Sequence, residues 1–117
     1  GANLAATDIV AADLKRAEIR ARYLAATAGV DAVLLPSVAI SPPPIAALEA
    51  GGDAYFRANR MALRNATIGN QLGLCAVTLP AGYDELGLPV GLMLQAQPFM
   101  EEKLLRLALA VERILRE

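Results

Sequence analysis

Apolar residues recur at helical spacing over three stretches of the chain and run without interruption over three shorter ones. The two patterns predict different elements. From about Asp8 to Ala28, Val10, Leu14, Ala17, Ala21 and Leu24 fall on one stripe, with Lys15, Arg16, Arg20 and Arg22 largely outside it. Thr7 is the expected cap of this first helix, Asp8 suits its positive end, Gly29 supplies its stop, and Glu18 and Arg22 are spaced to pair. A second helix is expected from about Asp53 to Leu72, with an interruption allowed near Gly69. Tyr55, Phe56, Ala62, Leu63 and Ala66 form its expected core stripe. Asn59 falls inside that stripe and would need hydrogen-bond partners if covered, while Arg57, Arg60 and Arg64 line the opposite side. Gly73 is the expected C-cap. The third helix runs from about Met100 to Arg116. Leu104, Leu107, Ala108, Val111 and Leu115 face inward, Leu109 faces out, and Glu102–Arg106 and Glu112–Arg116 are in position to pair.

The uninterrupted runs read as strands. Asp31-Ala32-Val33-Leu34-Leu35-Pro36 predicts a strand buried on both faces, followed by an extended segment at Ser41-Pro42-Pro43-Pro44. The runs Cys75–Pro80 and Pro89–Leu94 flank a loop carrying Gly82, Asp84 and Gly87. A short connection of this kind favours an antiparallel hairpin, and two-sided apolarity predicts a sheet covered on both faces. The expected fold is therefore α/β: one domain over residues 1–117, with a mixed sheet that includes an antiparallel hairpin and is flanked by helices. Gly73, Gly82, Gly87, Pro89 and Gly91 take structural roles at its turns and strand ends.

Composition narrows the chemistry. At 56% hydrophobic and 20% charged, the chain can supply a packed core, and with 4% aromatics that core must be built from aliphatic side chains. A net charge of −1 argues against broad binding to nucleic acid. No apolar run approaches a membrane span, and the terminus Gly1-Ala2-Asn3-Leu4 has neither a basic region nor an initiator Met. It does not read as a signal peptide; the absent Met suggests a processed, tagged or excised chain. The single cysteine, Cys75, excludes an intrachain disulfide and fits a reducing, cytoplasmic setting. There is no histidine, which removes the commonest general base and metal ligand. Asp84 and Glu85 are loop-tip carboxylates without further oxygen ligands, so neither a metal nor a cofactor is expected.

The stretch Leu63-Arg64-Asn65-Ala66-Thr67-Ile68-Gly69-Asn70-Gln71-Leu72-Gly73, continuing through Leu74 and the strand Cys75–Pro80 to Ala81 and Gly82, resembles the late segment of amidase-signature enzymes. The run Gly87–Leu94 is similar to that family's next strand, Asp31–Pro36 with the proline run to its Asp-apolar-Pro strand, and Glu102–Ala108 to its closing helix. The four matches come in the family's order between Asp31 and Ala108. Ala66 stands where many relatives carry Thr, a departure that bears on a local hydrogen bond and not on the fold. The resemblance implies a partial amidase-signature fold in which Asn70, Thr78 and Pro80 are candidate residues of the substrate-cavity wall. It also implies that the family's nucleophilic Ser, second Ser and Lys base lie upstream of the segments matched here. Ser37, Ser41, Lys15 and Lys103 are the only serines and lysines, and neither serine sits in a Gly-Gly-Ser-Ser context.

Each candidate also has a structural reading. Cys75 opens an apolar strand without a histidine partner and reads as a small buried hydrophobe; the three arginines of the second helix read as a solvated face. The expectation is an amidase-like carboxy-terminal piece that is not catalytic alone and has a structural, self-associating role. A small-molecule binding module, or a piece that complements an amino-terminal amidase portion carrying Ser, Ser and Lys, is the alternative. Free sheet edges and apolar surface predict a homo-oligomer, most simply a two-fold dimer covering the edge or the exposed helix faces.

Overall fold

The computed structural model describes residues 3–49 and 51–116. Gly1 and Ala2, the first part of the terminus considered above for a signal peptide, lie outside the described residues. The element order is α1 (Ala6–Ala26), β1 (Val33–Pro36), a 3₁₀ turn (Ile45–Ala47), α2 (Gly52–Leu72), β2 (Cys75–Tyr83), β3 (Pro89–Ala96) and α3 (Glu101–Leu115). The three strands form one antiparallel sheet in the order β1-β3-β2. The expected hairpin is present as β2–β3. A bulge between Pro80 and Tyr83 carries β2 past the proline at which a stop was expected. Proline is tolerated there because β2 is an edge strand and one of its sides needs no ladder donor.

Register sorts the side chains of β3 onto two faces. Leu92, Leu94 and Ala96 lie opposite Leu79, Val77 and Cys75, and this face receives α3. Leu79, Leu94, Ala96, Leu104 and Ala108 make the core, with Leu107 and Val111 packed beside them, and Leu94 is 0% exposed. The expected inner face of α3 is thus observed except at its end, where Leu115 is exposed. Both of its i,i+4 ion pairs form, Arg106–Glu102 at 2.6 Å and Arg116–Glu112 at 2.7 Å. On the other face, Gly91, Met93 and Gln95 look toward α2. Gly69 permits that approach: a Cβ there would sit 2.9 Å from the Gln95 amide nitrogen. The helix runs through Gly69 unbroken, so the interruption allowed at that position is not observed. Gly73 caps it in the left-handed conformation, φ 64° and ψ 38°, which a Cβ would strain.

Several burial expectations are corrected. The core stripe of α2 is Asn65, Gly69 and Leu72, with Ala58, Met61 and Ala62 half-buried; Tyr55, Phe56, Leu63 and Ala66 are exposed. The helix is turned so that the Asn65 amide donates to the Pro36 carbonyl at 2.7 Å and the Gln95 amide donates to the Asn65 carbonyl at 3.2 Å. The Asn65 amide is buried and would be costly without a partner, so this contact sets the rotation that apolarity alone misjudges. Asn59 is exposed, and burial places no demand on its amide. The β1 strand is an edge and is not buried on both faces: α3 lies over β2 and β3, leaving Leu34 58% exposed.

The first helix is corrected most. It begins at Ala6 with Thr7 inside it, and the Ala5 N–H donates to the Asp8 carboxylate at 3.0 Å. It ends at Ala26, before Gly29, where the Thr27 hydroxyl donates to the Tyr23 carbonyl at 2.9 Å. The Glu18–Arg22 pair forms at 2.9 Å. Its apolar stripe is uncovered, with Val10 59% and Leu14 69% exposed and Ala17 and Ala21 exposed beside them. What ties α1 down lies on its flank and at its end: Arg16 donates to Gln71, and the Leu24 carbonyl accepts from Gln97 at 2.9 Å. The molecule is a slab of 53 × 44 × 18 Å with a radius of gyration of 17.3 Å. A compact chain of this length has about 13 Å, so layers that could stack lie side by side.

Candidate functional site

A cavity of about 540 Å³ opens where three segments converge. The stretch from Val38 to Pro43 forms one wall; its prolines deny it a ladder or a helix and hold it extended. The first half of α2 contributes Tyr55, Ala58, Asn59 and Ala62, and the beginning of β3 contributes Pro89, Val90 and Gly91. The lining is mostly aliphatic, with the Tyr55 phenol, the Asn59 amide, the Ser41 hydroxyl and the Asp84 carboxylate as its polar groups. Close packing at one corner depends on Gly91: a Cβ there would lie 2.6 Å from the Ser37 hydroxyl oxygen and 2.9 Å from Thr78 Cγ2.

The loop between β2 and β3 is organised around Asp84. Its Oδ1 accepts the Leu86 and Leu88 N–H groups, both at 2.9 Å, and its Oδ2 accepts the Ser41 hydroxyl at 2.7 Å. The last bond ties the proline segment to the hairpin across 43 residues of sequence. Foremost the Ser41 hydroxyl, then the Leu88 amide and more weakly the Leu86 amide, hold the Asp84 carboxyl below the usual aspartate range against the opposing effect of burial. A carboxylate stabilised in this way is a weaker base. It anchors Ser41 rather than drawing a proton from it.

Neither serine meets a lysine amine. Ser37 donates its hydroxyl to Thr78 Oγ1 at 3.0 Å and its N–H to the Gly91 carbonyl at 2.8 Å. Lys15 pairs with Glu18 at 2.8 Å and Lys103 with Asp31 at 2.5 Å. A serine hydroxyl acquires nucleophilicity from an adjacent base, and acyl transfer needs amide donors converging on the developing oxyanion. At Ser41 the loop amides nearest in the network are already spent on Asp84. No cluster of three or more His, Cys, Asp or Glu side chains that could hold a metal occurs among the described residues.

None of the candidate wall residues read from the sequence is among those that line the cavity. Thr78 accepts from Ser37, and Pro80 stands opposite Gly91 in the β2–β3 register, so both adjoin the cavity corner from the hairpin side. Asn70 lies exposed in the last turn of α2, where its carbonyl accepts from Gly73. Pro89 and Gly91 line the cavity, while Gly82 and Gly87 shape the loop with φ of 112° and 75°. Arg57, Arg60 and Arg64 are exposed, as a solvated face requires. Cys75 is half-buried against the core, its thiol 3.1 Å from the Gln97 carbonyl. Sequence reasoning missed Asn65, Gln95 and the Ser41–Asp84 link. For Asn65 a signal existed in the polar position at i, i+4 and i+7 with Gly69 and Leu72.

Residues 2–105 match the family model described as Amidase. The chain is 41% identical over 86 residues to a 2-amino-5-chloromuconic acid deaminase of Comamonas testosteroni, covering 74% of this chain and 18% of that protein. It is 37% identical over 110 residues to a fatty acid amide hydrolase of Oryza sativa subsp. indica, covering 92% of this chain and 18% of the relative. A fatty acid amide hydrolase of Medicago truncatula is 34% identical over 111 residues, covering 93% and 18% respectively. The chain thus spans about 18% of the length of these curated relatives. Among the described residues no helix is long and apolar enough to cross a membrane. By family model and relatives together, this chain belongs to the amidase family, of whose members it represents a fragment-length portion.

Proposed function

We propose that this chain acts as scaffold and cavity wall in an amidase-type protein and performs no acyl transfer with its own residues. The observation that carries the reading is the disposition of its hydroxyls and amines. Ser37 and Ser41 are committed to Thr78 and Asp84, while both lysines are committed to carboxylates elsewhere. In this proposal amide hydrolysis depends on a Ser-Ser-Lys set outside these 117 residues, and the chain contributes strands, outer helices and the wall formed by the proline segment, α2 and β3. The test is turnover of aryl amides and aryl esters by the chain, by its Ser37→Ala and Ser41→Ala variants, and by the chain mixed with an amidase portion carrying Ser, Ser and Lys. Background turnover alone and activity upon mixing are expected. Turnover by the chain alone that either alanine variant abolishes would overturn the reading.

A second reading, a small-molecule binding role, draws on the cavity itself. Its volume of about 540 Å³ falls within the range of roughly 300–1,000 Å³ typical of ligand sites, and its few polar groups on an aliphatic lining suit a neutral amphiphile. Thermal-shift measurements with short fatty and aryl amides, against an Ala62→Phe variant that fills the cavity, separate this reading from a purely structural one. Binding that survives the filled cavity unchanged would count against it.

A further inference from the structure

We infer that Asp84 is the charge selector of the cavity, which holds an uncharged amphiphile and rejects the same molecule when its head is a carboxylate. The inference deepens the small-molecule reading given above and rests on it. Its starting point is the make-up of the wall. Among the lining residues Asp84 is the one Asp, Glu, Lys or Arg, and the other polar side chains there are hydroxyls or an amide. No cation answers it: Asp84 has no ion-pair partner among the described residues. Arg57 and Arg60, the cations on the half of α2 that contributes to the wall, are exposed and outside the lining.

The carboxylate is also fixed in place. Its Oδ1 takes the Leu86 and Leu88 N–H groups at 2.9 Å each, and its Oδ2 takes the Ser41 hydroxyl at 2.7 Å. Two donors come from its own loop and the third from the proline segment, so the group cannot swing aside as a ligand head enters. The same donors favour its ionised form. Of the roughly four lone-pair sites of a carboxylate, three are then used and one is left for a ligand. An amide head brings N–H groups to that site, and an ammonium brings donors with the opposite charge. A carboxylate head brings no donor and the same charge. Aliphatic walls beside Asp84 strengthen the repulsion, because less of the field passes through water. In the amidase-type protein proposed above, an acid freed from its amide would be held less tightly than the amide itself.

The experiment is a ligand-observed NMR titration of the 117-residue chain with hexanamide, hexanoate and hexylammonium at neutral pH and low salt, for the parent, Asp84→Asn and the cavity-filling Ala62→Phe. Hexanoate is expected to bind at least about fivefold more weakly than hexanamide, and hexylammonium no more weakly. Asp84→Asn keeps an oxygen for the loop amides and should bring hexanoate to within about twofold of hexanamide. Raised salt should narrow the same gap on the parent, a readout that does not depend on how the variant folds. Hexanoate that binds as tightly as hexanamide overturns the inference and leaves the cavity reading intact. So does rejection of both charged heads alike, which would make dehydration rather than Asp84 the selector. A gap that persists in folded Asp84→Asn removes the assignment to this residue. If hexanamide itself does not bind, or binds Ala62→Phe as well as the parent, the cavity reading fails first and the inference falls with it.

Discussion

The two ends of this molecule spend similar side chains differently. Where α3 crosses β2 and β3, Leu79, Leu94, Leu104 and Ala108 are buried together in one cluster. Along α1, Val10, Leu14, Ala17 and Ala21 make an equally regular stripe that is exposed. The difference lies in the number of layers available. The hairpin offers a sheet face wide enough for one helix, and α3 takes it. The whole slab is only 18 Å thick, and among the described residues no second layer covers the α1 stripe. A hydrophobic stripe specifies that a face is to be covered, but not by what.

The contrast is broken most strongly by emptying the packed end. Leu94→Ala is expected to cost about 2–5 kcal/mol, because no neighbour can collapse fully into a site shared by the sheet and α3; denaturant unfolding monitored by circular dichroism reads it. Asn65→Ala is expected to cost about 1–3 kcal/mol, since it strips the Pro36 carbonyl of its donor and loosens α2 from the sheet. The comparable change on the uncovered helix, Leu14→Ala, should alter stability by less than about 0.5 kcal/mol, as both residues favour helix and little is buried.

Smallest, and visible only as a pH dependence, is the contribution of Asp84. Its carboxyl is held lower in the folded state than in the unfolded chain, so its stabilising effect is complete above the ordinary aspartate value and is lost as pH falls through the depressed folded value. Melting temperatures taken from neutral pH to about pH 3 should therefore fall more steeply for the parent than for Asp84→Asn. Parallel curves would show that the link to Ser41 and the loop amides carries no stability.

Much of this architecture was legible in the sequence. The three helices, the hairpin, the C-cap at Gly73, the inner face of α3 and the i,i+4 ion pairs follow from spacing within one element. What was not legible depends on partners distant in sequence. The rotation of α2 is set by Asn65 reaching the Pro36 carbonyl across 29 residues, and it sends Phe56 and Leu63 outward against the hydrophobic pattern. The exposure of Leu34 follows from where α3 comes to rest, which no property of β1 encodes. Asn70, Thr78 and Pro80, which the family resemblance singled out, are not among the residues that line the cavity. The wall itself comes from the proline segment and the first half of α2, which the motif does not include.

The central claim is that neither serine hydroxyl in this scaffold is an activated nucleophile. The most direct measurement exposes the chain to an excess of a fluorophosphonate, which captures serines activated by a neighbouring base, and weighs the product by intact mass spectrometry with peptide mapping. No adduct is expected on Ser37 or Ser41, and a stoichiometric adduct on either would contradict the account.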